Sequence, residues 1–341
     1  MNTVTYHQTP IYVGESFENF EQYLKGAYTQ TILLIDENVY LTRKKEFDLY
    51  EKIIIPSGEE QKSMQVVEKI IGELLRKGAD RESFLVGVGG GVVCDITGFV
   101  ASIFMRGIRF GFVPTTLLAQ VDASIGGKNG VNTGMYKNMI GTFTQPEFIL
   151  IDSSFLKTLP KQELVSGMAE VVKHACIRDE EYFHYIEKNT EAILALDAEI
   201  LHQIILHSVR IKSEIVEQDE KEGGLRKLLN FGHTFGHAIE KQHNLPHGYA
   251  ISLGMCVVNA LAVDWGVLDQ SSDFKIRTVL KKIGLPVETT TLNLRSLCSI
   301  IYNDKKRSGD QIDLILIEGI GRSLIKSKSF ESLTNNKIFN A

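Results

Sequence analysis

The sequence predicts an α/β domain with a parallel sheet, followed by a mostly α-helical domain. In the first half, short apolar runs typical of strands alternate with amphipathic helical segments, which indicates parallel strands joined by crossovers. From about Pro160 onward, helical periodicity dominates until a strand-like run at residues 313–321. A length of 341 residues also favours two domains over one. We therefore predict domains at residues 1–159 and 160–341.

The predicted strands of the first domain are apolar runs that stop at polar or glycine-containing turns. They lie within the segments TILLIDENVY, KIIIPSG, SFLVGVGGG, IRFGFVPTT and PEFILIDSS. Between the second and third of these, MQVVEKIIGELLRKG has the apolar spacing of an amphipathic helix. That helix should end at Gly78, because glycine is favoured just after the last helical turn.

The second domain is predicted from long segments with helical periodicity. They read KQELVSGMAEVVKHACI, AEILHQIILHSVRIKSEIVEQDEKE and FGHTFGHAIEKQHN. The apolar run at residues 251–268 is short for a membrane span and contains Asn259 and Asp264, so it predicts a buried helix. The run DLILIEGIG predicts one late strand.

Composition argues against several classes of protein. The net charge is −5 and the densest basic cluster, DKKR, is short, so nucleic-acid binding is not expected as the main role. The four cysteines are far apart and show no C-x-x-C spacing, which argues against a zinc knuckle or a disulfide framework. The N-terminal residues lack the pattern of a signal peptide. We therefore expect a cytoplasmic protein that binds neither nucleic acid nor membranes.

The glycine-rich segment VGVGGGVVCDITG follows a predicted strand and precedes a predicted helix. Such a turn allows the backbone to approach a phosphate at the helix N-terminus. Val92 stands where the dinucleotide fingerprint has its third glycine, so a tight structural turn explains the motif equally well. Polar residues after neighbouring strands support a Rossmann-like nucleotide site at this edge of the sheet, namely Asp36, Glu59, Lys62, Thr115 and Thr116.

Acidic and imidazole side chains in the helical half predict a metal site. Glu170 and Lys173 share a helix face, although an ordinary surface ion pair also explains their spacing. His233 and His237 are four residues apart and can present two imidazoles to one site, although an isolated pair of this kind is more often structural. With His247, one glutamate and two histidines make a three-ligand catalytic zinc site. The spacing leaves open whether His233 or His237 is the ligand.

Two further features bear on this site. Gly232 and Gly236 each precede a histidine, and glycine costs about 1 kcal/mol in a helix interior, so a neighbouring backbone or a ligand is expected close by. Basic side chains in glycine-rich or apolar settings together predict a densely anionic small substrate, although each alone is explained as a surface charge. They are Arg106, Lys128, Lys137, Lys212, Arg226, Lys305 and Lys306.

These segments together resemble the 3-dehydroquinate synthase family. The resemblance rests on GGGVVCDITGFVAS, FMRGIRF, VPTTLLAQVDASIGGKNGVN, KNMIGTF, GMAEVVKHA, KSEIVEQDEKEGGLRKLLNFGHTFGHAIE, LPHGYA and DKKRSG, in family order from about residue 36 to 313. It implies a dehydroquinate synthase-like fold that binds NAD and a divalent metal, zinc or cobalt, in a cleft between its domains. It also implies a homodimer.

The implied activity is that of a lyase of the shikimate pathway, the route to chorismate and aromatic amino acids. The enzyme converts 3-deoxy-D-arabino-heptulosonate 7-phosphate (DAHP) to 3-dehydroquinate and phosphate. The resemblance implies transient oxidation by NAD, elimination of phosphate, re-reduction and an intramolecular aldol closure. Because the net redox change is zero, NAD acts catalytically.

The resemblance also assigns site residues. The implied metal ligands are Glu170, His233 and His247. The implied phosphate contacts are Lys128, Asn138, Asn230, His237 and a lysine of the DKK motif, Lys305 or Lys306, with Arg106 from the other subunit. The rest of the implied catalytic set is Lys173, Lys212, Arg226, Asp122, Lys137 and Glu222. The implied NAD contacts are Asp36, Asn38, Glu59, Lys62, Gly89, Gly90, Gly91, Val92, Asp95, Thr115, Thr116, Lys128, Lys137, Phe155 and Thr158.

Three positions depart from the family pattern. Cys94 stands where glycine is usual, His174 where tyrosine is more usual, and Tyr249 where glutamate is most frequent. None of these changes removes an implied ligand. Tyr249 directly follows the His247–Gly248 pair, so the metal affinity is the property that it puts in question, through the orientation of His247.

Three alternatives remain open at this point. Another sugar phosphate cyclase, such as a 2-deoxy-scyllo-inosose or 2-epi-5-epi-valiolone synthase, uses substrates without a carboxylate, whereas DASIGGKNGVN with Lys212 and Arg226 favours a substrate that carries one. A metal-dependent polyol dehydrogenase would release NADH stoichiometrically. A catalytically inactive NAD- or metal-binding protein would not need so many charged site residues.

Overall fold

The computed structural model describes residues 1–134, 136–305, 311–334 and 336. The chain forms two compact units. The first unit comprises Met1–Leu164 and Leu201–Glu217, and the second comprises Val165–Ile200 and Gln218–Ala341. The return of residues 201–217 to the first unit is absent from the sequence-based division. Since a compact unit is not by itself a folding domain, domains at 1–159 and 160–341 stay a prediction.

The first unit is built from short strands and three α-helices of its own. The strands are β1 (Asn2–Tyr6), β2 (Thr9–Val13), β3 (Thr31–Asp36), β4 (Glu51–Ile55), β5 (Phe84–Gly89), β6 (Arg109–Pro114), β7 (Lys128–Thr133), β8 (Tyr136–Phe143) and β9 (Ile149–Ile151). The helices are α1 (Glu37–Arg43), α2 (Met64–Arg76) and α3 (Gly91–Ile103). A seven-stranded sheet has the order β1-β2-β9-β6-β5-β3-β4.

The predicted parallel sheet is confirmed. Apart from the antiparallel pair of β1 with β2, neighbouring strands of this sheet run parallel. The central strands are buried on both faces, which is what their continuous apolar runs require. Phenylalanines pack against this sheet and fill the core, including Phe17, Phe20, Phe47, Phe84 and Phe148.

A second, two-stranded sheet of β7 and β8 is absent from the sequence-based prediction. Gly130 faces Gly141 across this antiparallel pair, and glycine has low strand propensity. A Cβ atom on Gly130 would lie 2.6 Å from the carbonyl oxygen of Ile140. The glycines therefore permit a close backbone approach that hydrophobic periodicity does not reveal.

The second unit is mostly helical, as predicted. Its elements are the greater part of α4 (Lys161–Arg178), α5 (Glu180–Leu194), the ends of α6 (Ala198–Gln218), α7 (His233–His243), α8 (His247–Asp264), α9 (Gln270–Ile283), α10 (Leu294–Lys305), β10 (Gln311–Gly319), β11 (Arg322–Ser329) and α11 (Phe330–Thr334). The predicted buried helix corresponds to α8, most of whose residues are buried. In the described part of the chain, no helix combines the length and apolarity needed to cross a membrane.

Candidate active site

Three candidate metal ligands of the second unit meet at the start of two helices. Glu170 lies in α4, while His233 and His247 are the first residues of α7 and α8. The Oε1 atom of Glu170 is 3.5 Å from Nε2 of His233 and 3.5 Å from Nε2 of His247. The three donor atoms lie within 4.8 Å of one another. One carboxylate and two imidazoles are the donor set of a catalytic zinc site, so the cluster fits a divalent metal.

The packing of α7 against α8 explains the two glycines near these histidines. Gly232 caps α7 with φ +79°, so the helix begins two residues later than predicted. A Cβ atom on Gly236 would lie 2.7 Å from Cδ1 of Ile251, and one on Gly254 would lie 2.0 Å from the carbonyl oxygen of Gly232. The expected close neighbour is therefore the other helix, and this approach brings the two helix-starting histidines together.

Charge and burial set the protonation of the cluster. The side chain of Glu170 is 1% exposed and forms an ion pair with the equally buried Lys173. Burial lowers the pKa of His233 to about 3, against the opposing effect of Glu170. Burial also acts to lower the pKa of His247, but the carboxylates of Glu170 and Glu240 raise it to about 9. Burial and the neighbouring carboxylates thus shift the pKa values of the two imidazoles in opposite directions.

The structure distinguishes the two histidines that sequence spacing leaves equivalent. His233 faces Glu170, whereas His237 is exposed one turn further along α7. The ring centroids of His233 and His237 are 5.3 Å apart. Both histidines line a pocket of about 770 Å³ in the second unit, together with Asn230 and Glu222. His237 is therefore placed to contact a ligand in this pocket.

The wall of the pocket contains polar side chains that hold one another. The Nδ2 atom of Asn230 donates a hydrogen bond of 2.5 Å to Oε1 of Glu222. Lys227 forms an ion pair of 2.8 Å with Asp313 of β10. Arg226, in the 3₁₀ turn Leu225–Asn230, is 3% exposed and donates from Nη1 to the carbonyl oxygen of Glu220. Arg226 is not among the residues that line the pocket, and its planar guanidinium is of the kind that binds a carboxylate.

Lys212 and Asp122 form a separate charged pair in the first unit. The Nζ atom of Lys212 is 2.8 Å from Oδ1 of Asp122 and also donates to the Asp122 carbonyl oxygen. Lys212 is 5% exposed. A buried ammonium requires a partner, and Asp122 supplies one for this lysine.

The candidate nucleotide residues lie along one edge of the main sheet. Asp36 and Asn38 lie at the carboxyl end of β3, and Glu59 and Lys62 follow β4. Gly89 to Val92 lie at the end of β5. Thr115 and Thr116 follow β6, and Phe155 and Thr158 follow β9. Gly90 caps α3 without a side-chain bond, so free N–H groups begin this helix at the end of β5. This edge is where open parallel sheets bind ligands, and the first unit therefore fits a nucleotide.

Side chains at this edge are partly engaged with one another. Oδ1 of Asp36 accepts hydrogen bonds from the backbone N–H of Asn38 at 2.9 Å and from Oγ of Ser57 at 2.8 Å. Lys62 forms an ion pair with Asp95 and donates to Oδ1 of Asn138 at 2.5 Å. Burial raises the pKa of Asp95, while Lys62 acts in the opposite direction. Asn138, for which the family resemblance implies a phosphate contact, is thus hydrogen-bonded to Lys62, one of the candidate nucleotide-binding residues.

The remaining candidate residues are more dispersed. Lys128 begins β7, Lys137 lies in β8, and Arg106 follows α3; all three are exposed in the first unit. The side chain of Lys305 and the whole of Lys306 lie outside the described residues. Sequence reasoning missed Glu240, whose Oε2 is 3.6 Å from Nδ1 of His247. Its position three residues after His237 is the signal that was available.

Comparison with known proteins gives consistent matches. The family model for the 3-dehydroquinate synthase N-terminal domain matches residues 52–166, and the model for the C-terminal domain matches residues 167–307. The chain is 45% identical over 289 residues to the 3-dehydroquinate synthase of Sulfurovum sp. (strain NBC37-1), covering 84% of this chain and 81% of that protein. It is 42% identical over 319 residues to the enzyme of Dictyoglomus thermophilum, covering 92% and 90%.

A solved structure extends the comparison to ligands. The 2-epi-5-epi-valiolone synthase of Streptomyces hygroscopicus, with NAD+ and Zn2+ bound, superposes with a TM-score of 0.86 at 25% identity. The match covers 97% of this chain and 96% of that structure. These figures establish the same fold over nearly the whole chain.

Proposed function

Because the chain belongs to the 3-dehydroquinate synthase family, we propose that Glu170, His233 and His247 hold the divalent metal of that reaction and that the first unit binds NAD. The protein is an enzyme, a lyase with 3-dehydroquinate synthase activity. The observation that carries the proposal is the buried Glu170 carboxylate, which faces two imidazole nitrogens at 3.5 Å. A buried carboxylate is costly unless cations surround it, and a metal together with Lys173 meets that need.

The proposed substrate is DAHP, and the chain supplies groups that suit its two anionic ends. When bound, NAD provides a reversible hydride acceptor and zinc or cobalt a Lewis acid for substrate hydroxyls. His237 and Asn230, which line the pocket beside the metal ligands, bind the phosphate and hold it as it leaves. Arg226 and Lys173 are the buried cations of the second unit that suit the carboxylate and a hydroxyl.

Further roles are proposed on the family resemblance. In the first unit, Lys128 and Asn138 contact the phosphate, Lys212 with Asp122 orients the substrate, and Lys137 contacts NAD. In the second unit, Glu222 orients Asn230, to which it is hydrogen-bonded at 2.5 Å. Lys212 is held by Asp122 and Asn230 by Glu222, so these two donors are fixed before the substrate arrives, which reduces the entropy lost on binding.

Sequence identity favours this activity over that of a related cyclase. The 3-dehydroquinate synthases named above are 42% and 45% identical to the chain, whereas the valiolone-type cyclase is 25% identical. The buried Arg226 also suits a substrate carboxylate, which the other cyclases do not require. A polyol dehydrogenase would accumulate NADH, and this difference provides the test.

We expect the purified enzyme, with DAHP, zinc and catalytic NAD, to release phosphate in many-fold excess over NAD without net NADH. Phosphate release and NADH absorbance are measured in the same cuvette. Removal of the metal with a chelator should stop the reaction, and added zinc or cobalt should restore it. Phosphate release from hexose phosphates instead of DAHP would indicate another cyclase, and NADH accumulation with polyols would indicate a dehydrogenase.

The four cysteines support the cytoplasmic location that we propose. All four are free and buried. Burial raises the pKa of the Cys256 thiol to about 12 and that of Cys298 to about 11, and it also raises the pKa of Cys94. The thiols therefore stay protonated and unreactive at neutral pH, as expected of structural residues in a reducing compartment.

We also propose that the enzyme is a homodimer that forms through β8. Among the described residues, β8 pairs with β7 alone, so its other edge presents unpaired backbone groups. Four of its large apolar side chains are between 36% and 64% exposed, namely Tyr136, Met139, Ile140 and Phe143. An antiparallel pairing of this edge with a second copy is self-complementary and would cover these side chains. Oγ1 of Thr142 in β8 bonds Ser102 of α3, so Arg106 follows a helix that contacts this strand.

The double substitution Met139→Lys and Phe143→Lys should convert the dimer to a monomer. Burying two additional charges per copy in an apolar interface should weaken association at least about 100-fold. Sedimentation velocity measures the change in mass. Leu49→Lys serves as the control, because Leu49 is 95% exposed in the same unit but lies outside β8. A double variant that sediments like the wild type would exclude this interface.

A further inference from the structure

The two candidate metal-binding histidines differ in what holds their second ring nitrogen. Nδ1 of His233 lies 3.2 Å from the carbonyl oxygen of Phe231, a backbone group just before α7. Nδ1 of His247 instead faces the Oε2 atom of Glu240 at 3.6 Å. Both rings direct Nε2 toward Oε1 of Glu170. Each imidazole is thus bracketed by one oxygen acceptor on each side.

His247 has the greater need of an orienting partner. Its side chain is 32% exposed, compared with 13% for His233 and 1% for Glu170. An imidazole with this much freedom can rotate or exchange its tautomer, and either change removes the Nε2 lone pair from the cluster. A fixed acceptor at Nδ1 prevents both changes.

The position of Glu240 follows from the helix that carries it. Glu240 comes seven residues after His233 on α7, so both side chains project from the same helix face two turns apart. The close approach of α7 and α8 at Gly236 brings this face to the start of α8, where His247 lies. The Glu240 side chain is 16% exposed, so it is largely packed beside the imidazole.

We propose that Glu240 is a positioning residue that accepts the Nδ1–H of His247 and directs the Nε2 lone pair of that ring to the metal. The inference rests on the proposed metal site. A carboxylate behind a ligating histidine fixes its tautomer and makes the ligating nitrogen more basic. Glu240 therefore strengthens metal binding without contacting the metal or the substrate.

A second metal ion is the competing role for Glu240. Donor atoms of His237, Glu240 and His247 also lie within 4.8 Å of one another. However, His247 would then have to bind two cations through both ring nitrogens, which requires loss of its last proton. Glu170 already lies on the Nε2 side, so one carboxylate facing Nδ1 at 3.6 Å accounts for the geometry with one ion. Counting the bound ions separates the two roles.

The test compares zinc affinity among five full-length proteins, namely the wild type and the variants Glu240→Ala, Glu240→Gln, Gln242→Ala and His233→Ala. Zinc is titrated into the metal-free proteins in competition with a chromogenic chelator. The absorption spectrum at saturating cobalt reports the ligand geometry, and thermal unfolding of the metal-free proteins reports the fold. Gln242 is exposed near the end of the same helix and serves as the matched control.

We expect Glu240→Ala to weaken zinc binding about 10- to 100-fold and to alter the cobalt spectrum. Glu240→Gln, which keeps an acceptor oxygen, should recover part of the affinity, and Gln242→Ala should bind like the wild type. Unchanged zinc affinity in Glu240→Ala would overturn the proposal. A loss of affinity that is accompanied by a fall in the unfolding temperature of the metal-free protein, and that Glu240→Gln does not recover, would overturn it as well. So would two ions in the wild type and one in Glu240→Ala. If His233→Ala also keeps its zinc, the metal site itself is wrong, which separates the two failures.

Discussion

Replacing His233 with alanine should abolish stoichiometric zinc binding and lower kcat/KM by at least about 10³-fold, a change of about 4 kcal/mol in transition-state stabilisation. Catalytic zinc sites in proteins use three protein ligands, and this substitution leaves Glu170 and His247. The Nε2 atom that is lost lies 3.5 Å from the Glu170 carboxylate. Elemental analysis after dialysis measures the metal, and the phosphate-release assay measures the activity.

His243→Ala is the matched control for this experiment. His243 is an exposed histidine at the end of the same helix, α7, and it should affect neither zinc content nor turnover. Full zinc occupancy in His233→Ala would refute the assignment of this residue as a ligand. A protein that keeps its zinc in His233→Ala but loses it in a His237→Ala variant would transfer the role to His237, the alternative that sequence spacing leaves open.

Replacing Arg226 with alanine should lower kcat/KM for DAHP by about 10²- to 10³-fold while zinc content stays at the wild-type level. Hydrogen bonds to charged groups contribute about 1.5–3 kcal/mol each, and a guanidinium can make two to one carboxylate. Arg226 is 3% exposed, so water does not readily substitute for the missing donors. Steady-state kinetics with DAHP and with an analogue that lacks the carboxylate measure the effect.

The carboxylate-free analogue separates recognition from a general loss of structure. Arg226 also donates to the carbonyl oxygen of Glu220, so its truncation affects the local fold as well. If the carboxylate contact is the main role, Arg226→Ala should reduce turnover of DAHP far more than turnover of the analogue. Arg226→Lys keeps the charge without the two-pronged geometry. Its kcat/KM for DAHP should therefore lie between those of the wild type and Arg226→Ala. Equal loss on both substrates, or wild-type kinetics with DAHP, would contradict the carboxylate assignment.

Most of the fold could be predicted from local patterns. The apolar runs that became β3 and β5 are buried on both faces, so their composition and their structure agree. The hairpin of β7 and β8 could not be predicted in this way. Its facing glycines, Gly130 and Gly141, allow the two backbones to approach closely, and this does not produce an apolar pattern in the sequence. The start of α7 was also misplaced, since Gly232 ends the preceding turn with a positive φ that the helical periodicity conceals.

The sequence by itself determined the alternation that builds a parallel sheet, the family, and the candidate donors Glu170, His233, His237 and His247. These follow from residue type and short spacing, which are local properties. The tertiary structure decided which histidine faces Glu170 and that Glu240 stands behind His247. The reason is physical: α4 is distant in sequence from α7 and α8. A four-residue spacing specifies one helix face but not the neighbour that packs against it. The position of Glu240 behind His247 depends on the close contact of α7 with α8 at their glycines.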